Sequence, residues 1–283
     1  IFLLCPHGAL FAQSNNTCQD VLLPLYVYPS GADNRAIWTT ATSDKLPTHS
    51  TRYIVINPNK GEISGWTATG NAPEISDWRW AIDQVHSGAG HGSWLAVAYI
   101  HTSNGARPLD DVEADVAAYA SFFPHIDAFF VDETSADSTY TSYYTSLVSY
   151  IQDSMRFPGA DIVFNVGAYP SEATLLNISH ASGSNLMLGV SENDYGSVGY
   201  SPTVPSWVTH RTNGEYDYGD QHFLTLIYNL PMSSSASVVA STRRNHNGVV
   251  FVTDSTTSSG AGEQWNGVGG YWSSLISQTK HCH

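Results

Sequence analysis

Charge is scarce in this sequence, and positive charge scarcest. Only 13% of its 283 residues are charged, and 11 Lys and Arg stand against 25 Asp and Glu, where an average soluble protein carries about a quarter. A surface so short of cations cannot follow a phosphate backbone, which argues against nucleic acid as a partner. It tolerates a neutral or cationic polymer. Beyond residue 12 no run approaches the 18 or so apolar residues that a membrane span needs. No linker, charge block or low-complexity tract divides the chain. The sequence holds no His-Glu-x-x-His and no Gly-x-Ser-x-Gly, which disfavours a zinc protease and a serine hydrolase. The glycines of Gly88-Ala89-Gly90-His91-Gly92 precede an apolar run instead of leading from strand to helix, so they are not read as a phosphate cradle. No cofactor and no metal is called for, and a monomer is expected.

Cysteine is scarce too, at three. Cys5 falls in the apolar opening Ile1-Phe2-Leu3-Leu4 through Ala12, which reads as the tail of a signal peptide cut after Ala12. Residues 1–12 are accordingly set aside, and 13–283 are read as one domain. Cys18 and Cys282 stand at the two ends of that domain. In a closed barrel the first and last units are neighbours, so a Cys18–Cys282 disulfide is expected; two separate thiols are the other reading. Closing so long a loop is worth about 5 kcal/mol in the chain-entropy model, and secretion favours it. His281 and His283 beside Cys282 are a weaker metal motif than a terminal disulfide. Asn15-Asn16-Thr17 and Asn177-Ile178-Ser179 match the glycosylation acceptor pattern.

What the chain has in plenty is short apolar runs followed by helical patterns. Eight can be counted, at 22–28, 53–57, 94–101, 128–132, 161–165, 186–191, 223–228 and 249–253. They are continuous rather than alternating, as parallel strands covered on both faces require. Between them, 109–123, 138–155 and 234–244 read as amphipathic helices, 78–86 as a helix behind Ser76-Asp77, and 35–43 as a poorly marked first one. Eight repeats in this length fit a single (β/α)8 barrel, which needs about 250 residues. A doubly wound open sheet is the alternative.

Barrel enzymes act at strand C-terminal ends. Here those ends carry Tyr28, Asn57, His101, Asp132-Glu133, Asn165, Glu192, Tyr228 and Asp254. A carboxylate directly behind an apolar run is costly to bury unpaired, and glycosidic cleavage needs two carboxyl groups flanking one bond. Asp132 and Glu192 come from the fourth and sixth strands and can face a common cavity. Neighbours on a strand point opposite ways, so only one of Asp132 and Glu133 is expected in the reaction. Asp254 is read as a loop or cap residue. Trp38, Trp66, Tyr169, Tyr195, Tyr200 and Trp265 are candidates for stacking on sugar rings, whereas Trp80 and Trp94 are expected in the core.

At these residues the sequence resembles the spherulin-4 family, grouped with glycoside hydrolase family 135. The matching blocks run in order: Leu23-Pro24-Leu25-Tyr26-Val27-Tyr28-Pro29, Ile56-Asn57-Pro58-Asn59-Lys60-Gly61 and Tyr99-Ile100-His101-Thr102 with Gly105 and Arg107. Then come Phe129-Phe130-Val131-Asp132-Glu133, Asn165-Val166-Gly167, Ser191-Glu192 and Val252-Thr253-Asp254. The chain departs from the pattern at Ala98 and Ala128, where glycine is expected. The resemblance implies a secreted barrel enzyme that cuts internally in α-1,4-linked N-acetylgalactosamine of a galactosaminogalactan-type exopolysaccharide, with retention of configuration. It maps the catalytic acids onto Asp132, Glu133 and Glu192. Analogy with α-retaining barrels makes Asp132 the nucleophile and Glu192 the acid/base. Tyr28, Asn57, His101, Asn165 and Tyr228 are expected to contact substrate on strand-end position alone. A non-catalytic carbohydrate-binding or spore-coat protein on the same barrel is the alternative.

Overall fold

The computed structural model describes residues 18–43, 51–88, 94–153, 155–174, 178, 186–212, 215–216, 218–257 and 262–279. Of the sequence expectations, the leader 1–12, both acceptor triplets as complete units, and His281, Cys282 and His283 fall outside them.

A strand of five apolar residues has no face to give to water, so it must be covered twice. The described strands are β1 (Asp20–Pro24), β2 (Arg52–Ile56), β3 (Trp94–His101), β4 (Ala128–Asp132), β5 (Asp161–Asn165), β6 (Leu186–Asp194), β7 (Arg211–Thr212), β8 (Glu215–Tyr216), β9 (Phe223–Tyr228) and β10 (Val249–Val252). Eight of them close into a barrel in the order β1-β10-β9-β6-β5-β4-β3-β2. Every barrel pair is parallel, and β1 against β10 seals it through Asp20↔Val249 and Val21↔Val250. The open-sheet alternative is thereby excluded. β7 and β8 form a small antiparallel hairpin between β6 and β9.

Around the barrel lie α1 (Gly31–Ser43), α2 (Ala72–Ser87), α3 (Leu109–Phe122), α4 (Thr141–Ile151), and the helices Met232–Arg244 and Trp272–Thr279. Each buries one stripe: α3 turns Val112, Val116 and Tyr119 inward, and α4 turns Tyr144, Leu147, Val148 and Ile151. All five residues of β2 and all four of β10 are buried, as continuous apolar runs demand. Ala98 and Ala128 are wholly buried, so the barrel accommodates their methyl groups. Among the described residues no helix is long and apolar enough to cross a membrane.

The first two helices start earlier than expected, α1 at Gly31 and α2 at Ala72, so that Ser76 and Asp77 lie inside α2; three further boundaries differ, each for a local reason. The run at 22–28 stops being strand at Pro24, and the Tyr26 amide donates to the Trp265 carbonyl (3.0 Å); beyond it Leu25 and Val27 stay buried while Tyr26 and Tyr28 line a cavity. The helix expected over 138–155 begins as a 3-10 turn, Ser138–Tyr140, capped by the Asp137 carboxylate on the Thr139 amide (2.9 Å), and continues as α4 only to Ile151. β6 continues three residues past Ser191. The hairpin and the helix Trp272–Thr279 have no counterpart among the sequence expectations.

The N-terminal floor of the barrel is polar. Arg52 is completely buried, with its guanidinium 4.8 Å from the centre of the Trp94 ring. The Tyr53 hydroxyl donates to Asp161 Oδ2 (3.4 Å), and the Thr51 amide donates to Asp20 Oδ1 (2.7 Å).

Candidate active site

At the opposite end β4 delivers Asp132. Its Oδ2 accepts from the Tyr99 hydroxyl (2.7 Å), and its Oδ1 from the Asn165 amide (2.8 Å) and the Glu133 backbone N–H (2.9 Å). The same Asn165 Nδ2 donates to Glu192 Oε2 (3.2 Å). One amide nitrogen thus ties the fourth and sixth barrel strands together from its place at the end of the fifth. An NH2 group that gives one hydrogen to each of two oxygens holds them roughly 5 Å apart when both bonds are near linear.

Two backbone features aim these groups. Gly189 lies beside Asn165 in the β5–β6 register, and a β-carbon on it would collide with Asn165 Oδ1. Between Gly189 and Ser191 the β6–β9 register shifts, and such a bulge redirects the side chains that follow. Glu192 was expected just behind the end of a strand; it lies inside β6, and the bulge sets its direction. Its side chain meets solvent at the cleft, yet protein atoms crowd it from several sides. That burial raises its pKa, the Asn165 hydrogen bond opposes the rise, and the nearby Asp132 charge adds to it.

Glu133 turns elsewhere. Its φ of 51° is left-handed, a conformation that costs a non-glycine residue and needs support. The support is visible: its carbonyl accepts from the Asn104 N–H (2.7 Å) and the Thr102 hydroxyl (2.8 Å). The Glu133 carboxylate then lies 3.5 Å from His101 Nδ1, while His101 Nε2 is 2.9 Å from Glu62 Oε1. The His101 hydrogen bond lowers the Glu62 pKa. Asp132 and Glu133 therefore diverge, and because β4 ends at Asp132 it is the left-handed backbone of Glu133, not strand alternation, that turns its carboxylate. Glu62, His101, Ser103, Arg107 and Asp111 line an open cavity of about 580 Å³ beside them.

The remaining strand-end residues divide into groups. Tyr28 and Asn57 share a cavity of about 310 Å³ with Tyr26, Trp66, Glu74 and Trp78. The Tyr28 hydroxyl donates to Asp77 Oδ2 (2.9 Å), and burial and that bond push its pKa up to about 12. Tyr228 meets Trp265 edge to face (5.7 Å) and is close enough to Asp194 and Glu192 for their charges, after burial, to raise its pKa. Asn165 is in the carboxylate pair itself, and His101 is in the larger cavity. Asp254 accepts the Gly270 N–H (2.8 Å), a loop contact.

Two stacking candidates are corrected. Trp38 is wholly buried, because α1 turns it inward where its Nε1 donates to the Val27 carbonyl (3.0 Å). Trp265 is buried against Tyr228 and Phe251. Trp94 is core, but Trp80 is only half-buried beneath the Arg35 guanidinium (4.6 Å). The sequence reading missed Tyr99 and Tyr26. Tyr99 precedes His101 by two residues and so shares its face of β3, the one signal that could have found it. Tyr26 packs edge to face on Tyr99 (5.6 Å), and burial followed by the charges of Asp132 and Glu192 raises its pKa. Among the described residues no three His, Cys, Asp or Glu side chains gather to hold a metal ion.

Residues 20–279 match the family described as spherulation-specific family 4 (Spherulin4). Spherulin-4 of Physarum polycephalum is 29% identical over 241 residues, which are 83% of this chain and 63% of that protein. The chain thus spans less than two-thirds of that relative. Aspergillus clavatus Sph3, solved in complex with GalNAc, superposes with a TM-score of 0.67 at 20% identity over 93% of this chain and 98% of its own, and shares the barrel fold.

Proposed function

The chain belongs to spherulation-specific family 4, and on that footing we propose that it is a secreted glycoside hydrolase acting within polymers of α-1,4-linked N-acetylgalactosamine, of the galactosaminogalactan type, with retention of configuration. The observation that carries this reading is the single Asn165 amide bonded to both Asp132 and Glu192. A separation of roughly 5 Å suits a carboxylate that attacks the sugar directly; inverting enzymes need about 6.5–9.5 Å to admit a water.

In this mechanism Glu192, whose raised pKa keeps it protonated at higher pH than an ordinary carboxyl, gives its proton to the glycosidic oxygen as the bond to the anomeric carbon breaks. Asp132 Oδ2, which takes one donor from Tyr99, attacks that carbon. Glu192 then takes a proton from the water that releases the sugar. Tyr99 and Asn165 hold the nucleophile in place, and the Sph3–GalNAc complex supports N-acetylgalactosamine as the ring. Secretion belongs to this proposal because the apolar residues 1–12 read as the tail of a signal peptide.

The test is incubation with defined α-1,4-N-acetylgalactosamine oligomers, with products read by mass spectrometry and their anomeric form by NMR. Shorter oligomers with retained configuration are expected, with loss of cleavage in Asp132→Asn and Glu192→Gln. Undiminished cleavage by both variants, or binding by the wild type with no new reducing ends, would sink the proposal; the latter outcome describes the binding-protein alternative.

A further inference from the structure

The cavity beside β1 and β2 has a composition the reaction does not use. At about 310 Å³ it is at the small end of ligand pockets, the size for one ring and not a chain. Its walls are aromatic: Tyr26, Tyr28, Trp66 and Trp78, with Tyr28 38% exposed at the mouth. Its polar groups are three asparagine amides and one carboxylate, Glu74, and among the described residues no Lys, Arg or His lines it. Nearby Arg35 is engaged elsewhere, on Asp77 (2.9 Å) and over the Trp80 ring.

Glu74 sits in the first turn of α2. Glu74 Oε2 is shut off from water and has no hydrogen-bond partner; Asn57 Oδ1 is in the same state. Buried acceptors without donors are costly. A small rotation of the carboxylate toward the cavity, met by a ligand that brings donors, removes that cost. Aromatic walls around a carboxylate are the arrangement that receives an ammonium group, by cation–π attraction and direct charge pairing. Tyr26 also meets Tyr99 edge to face (5.6 Å), so the cavity borders the side chain that holds Asp132.

We propose that this cavity is a subsite for a sugar bearing a free amine, and that Glu74 selects for it. The inference rests on the glycoside-hydrolase reading and adds charge selectivity to it: the enzyme engages a partly de-N-acetylated stretch beside the linkage it cuts.

The test measures binding to the Glu192→Gln protein, which holds substrate without turnover. Two oligomers of equal length are compared by calorimetry, one fully N-acetylated and one with free amines. The amine-bearing oligomer is expected to bind about tenfold tighter, one charge pair's worth, with the gap closing as salt rises. Adding Glu74→Gln should abolish the gap, and Tyr28→Ala should narrow it. Equal affinities in the parent, or a gap that survives Glu74→Gln, would overturn the subsite. If Glu74→Gln does not fold, the parent comparison and Tyr28→Ala still decide. Wild-type cleavage of the acetylated oligomer is scored separately: cleavage without an amine preference rejects the subsite alone, and no cleavage rejects the reading beneath it.

Discussion

Asn165 gives its two amide hydrogens to the two carboxylates, and the consequences can be followed in proton binding. Its hydrogen bond opposes the rise in the Glu192 pKa, so Asn165→Leu should raise that pKa further. The alkaline limb of kcat/KM, where the acid loses its proton, should move to higher pH; an unmoved limb would show that the bridge does not tune the acid. Glu192 itself has a folded-state pKa above its ordinary 4.5. Its contribution to stability is therefore fully present below that value and is lost as pH rises through the folded pKa. Glu192→Gln should lower turnover about 10²- to 10⁴-fold while melting higher than wild type at pH near 7. At pH near 4 that advantage should vanish. Thermal scans at the two pH values check it. These residues were readable as residue types behind apolar runs; their partners were not. Asn165 was named as a substrate contact on position alone, and Tyr99 was passed over, because a hydroxyl's direction depends on which face of β3 looks into the barrel.

At the scale of elements, one missing side chain keeps β5 and β6 close enough for the bridge. A methyl group at Gly189 would meet Asn165 Oδ1 and come within 3.1 Å of the Asn165 Cα. Gly189→Ala must therefore displace backbone as well as side chain. It should cost about 1–3 kcal/mol in stability and lower kcat at least tenfold with little change in KM; a variant with wild-type kcat would show that the spacing is not critical. The end of β3 works similarly on Glu133, whose carbonyl is pinned by Thr102 and Asn104 so that its carboxylate faces His101. Strands β3, β4, β5 and β9 begin and end where their apolar runs do, since turn residues interrupt them sharply. The run through 22–28 and the end of β6 did not follow hydrophobicity. There a Pro24 without an amide hydrogen and a bulge after Gly189 decide, and neither changes the apolar pattern.

For the whole molecule, the two ends of the barrel titrate apart. At the floor, burial raises the Asp20 pKa to about 7, against help from the Thr51 N–H and Arg52 and with the Asp161 charge adding to the rise. Stability from this group is complete below the ordinary 3.8 and drains away as pH climbs through about 7. The wild type should lose roughly 5 °C or more of melting temperature between pH 5 and pH 8, and Asp20→Asn should flatten the decline. An identical slope in the variant would assign the loss to other groups. Because the floor lies at the opposite end of the strands from the carboxylates, the same variant should leave the pH profile of cleavage in place.

Eight continuous apolar runs, five of them with a legible helical pattern behind them, were enough to require parallel strands covered on both faces, and the residues behind those runs named the carboxylates. Local composition can do this because burial on two sides demands it of every residue in the run. Which runs become neighbours, whether the sheet closes, and which way Glu133, Glu192 and Trp38 point are relations between residues far apart in the chain. Only the closed register of β1 against β10, the bulge in β6 and the inward face of α1 decided them, because a side chain's direction is a property of its neighbours in space.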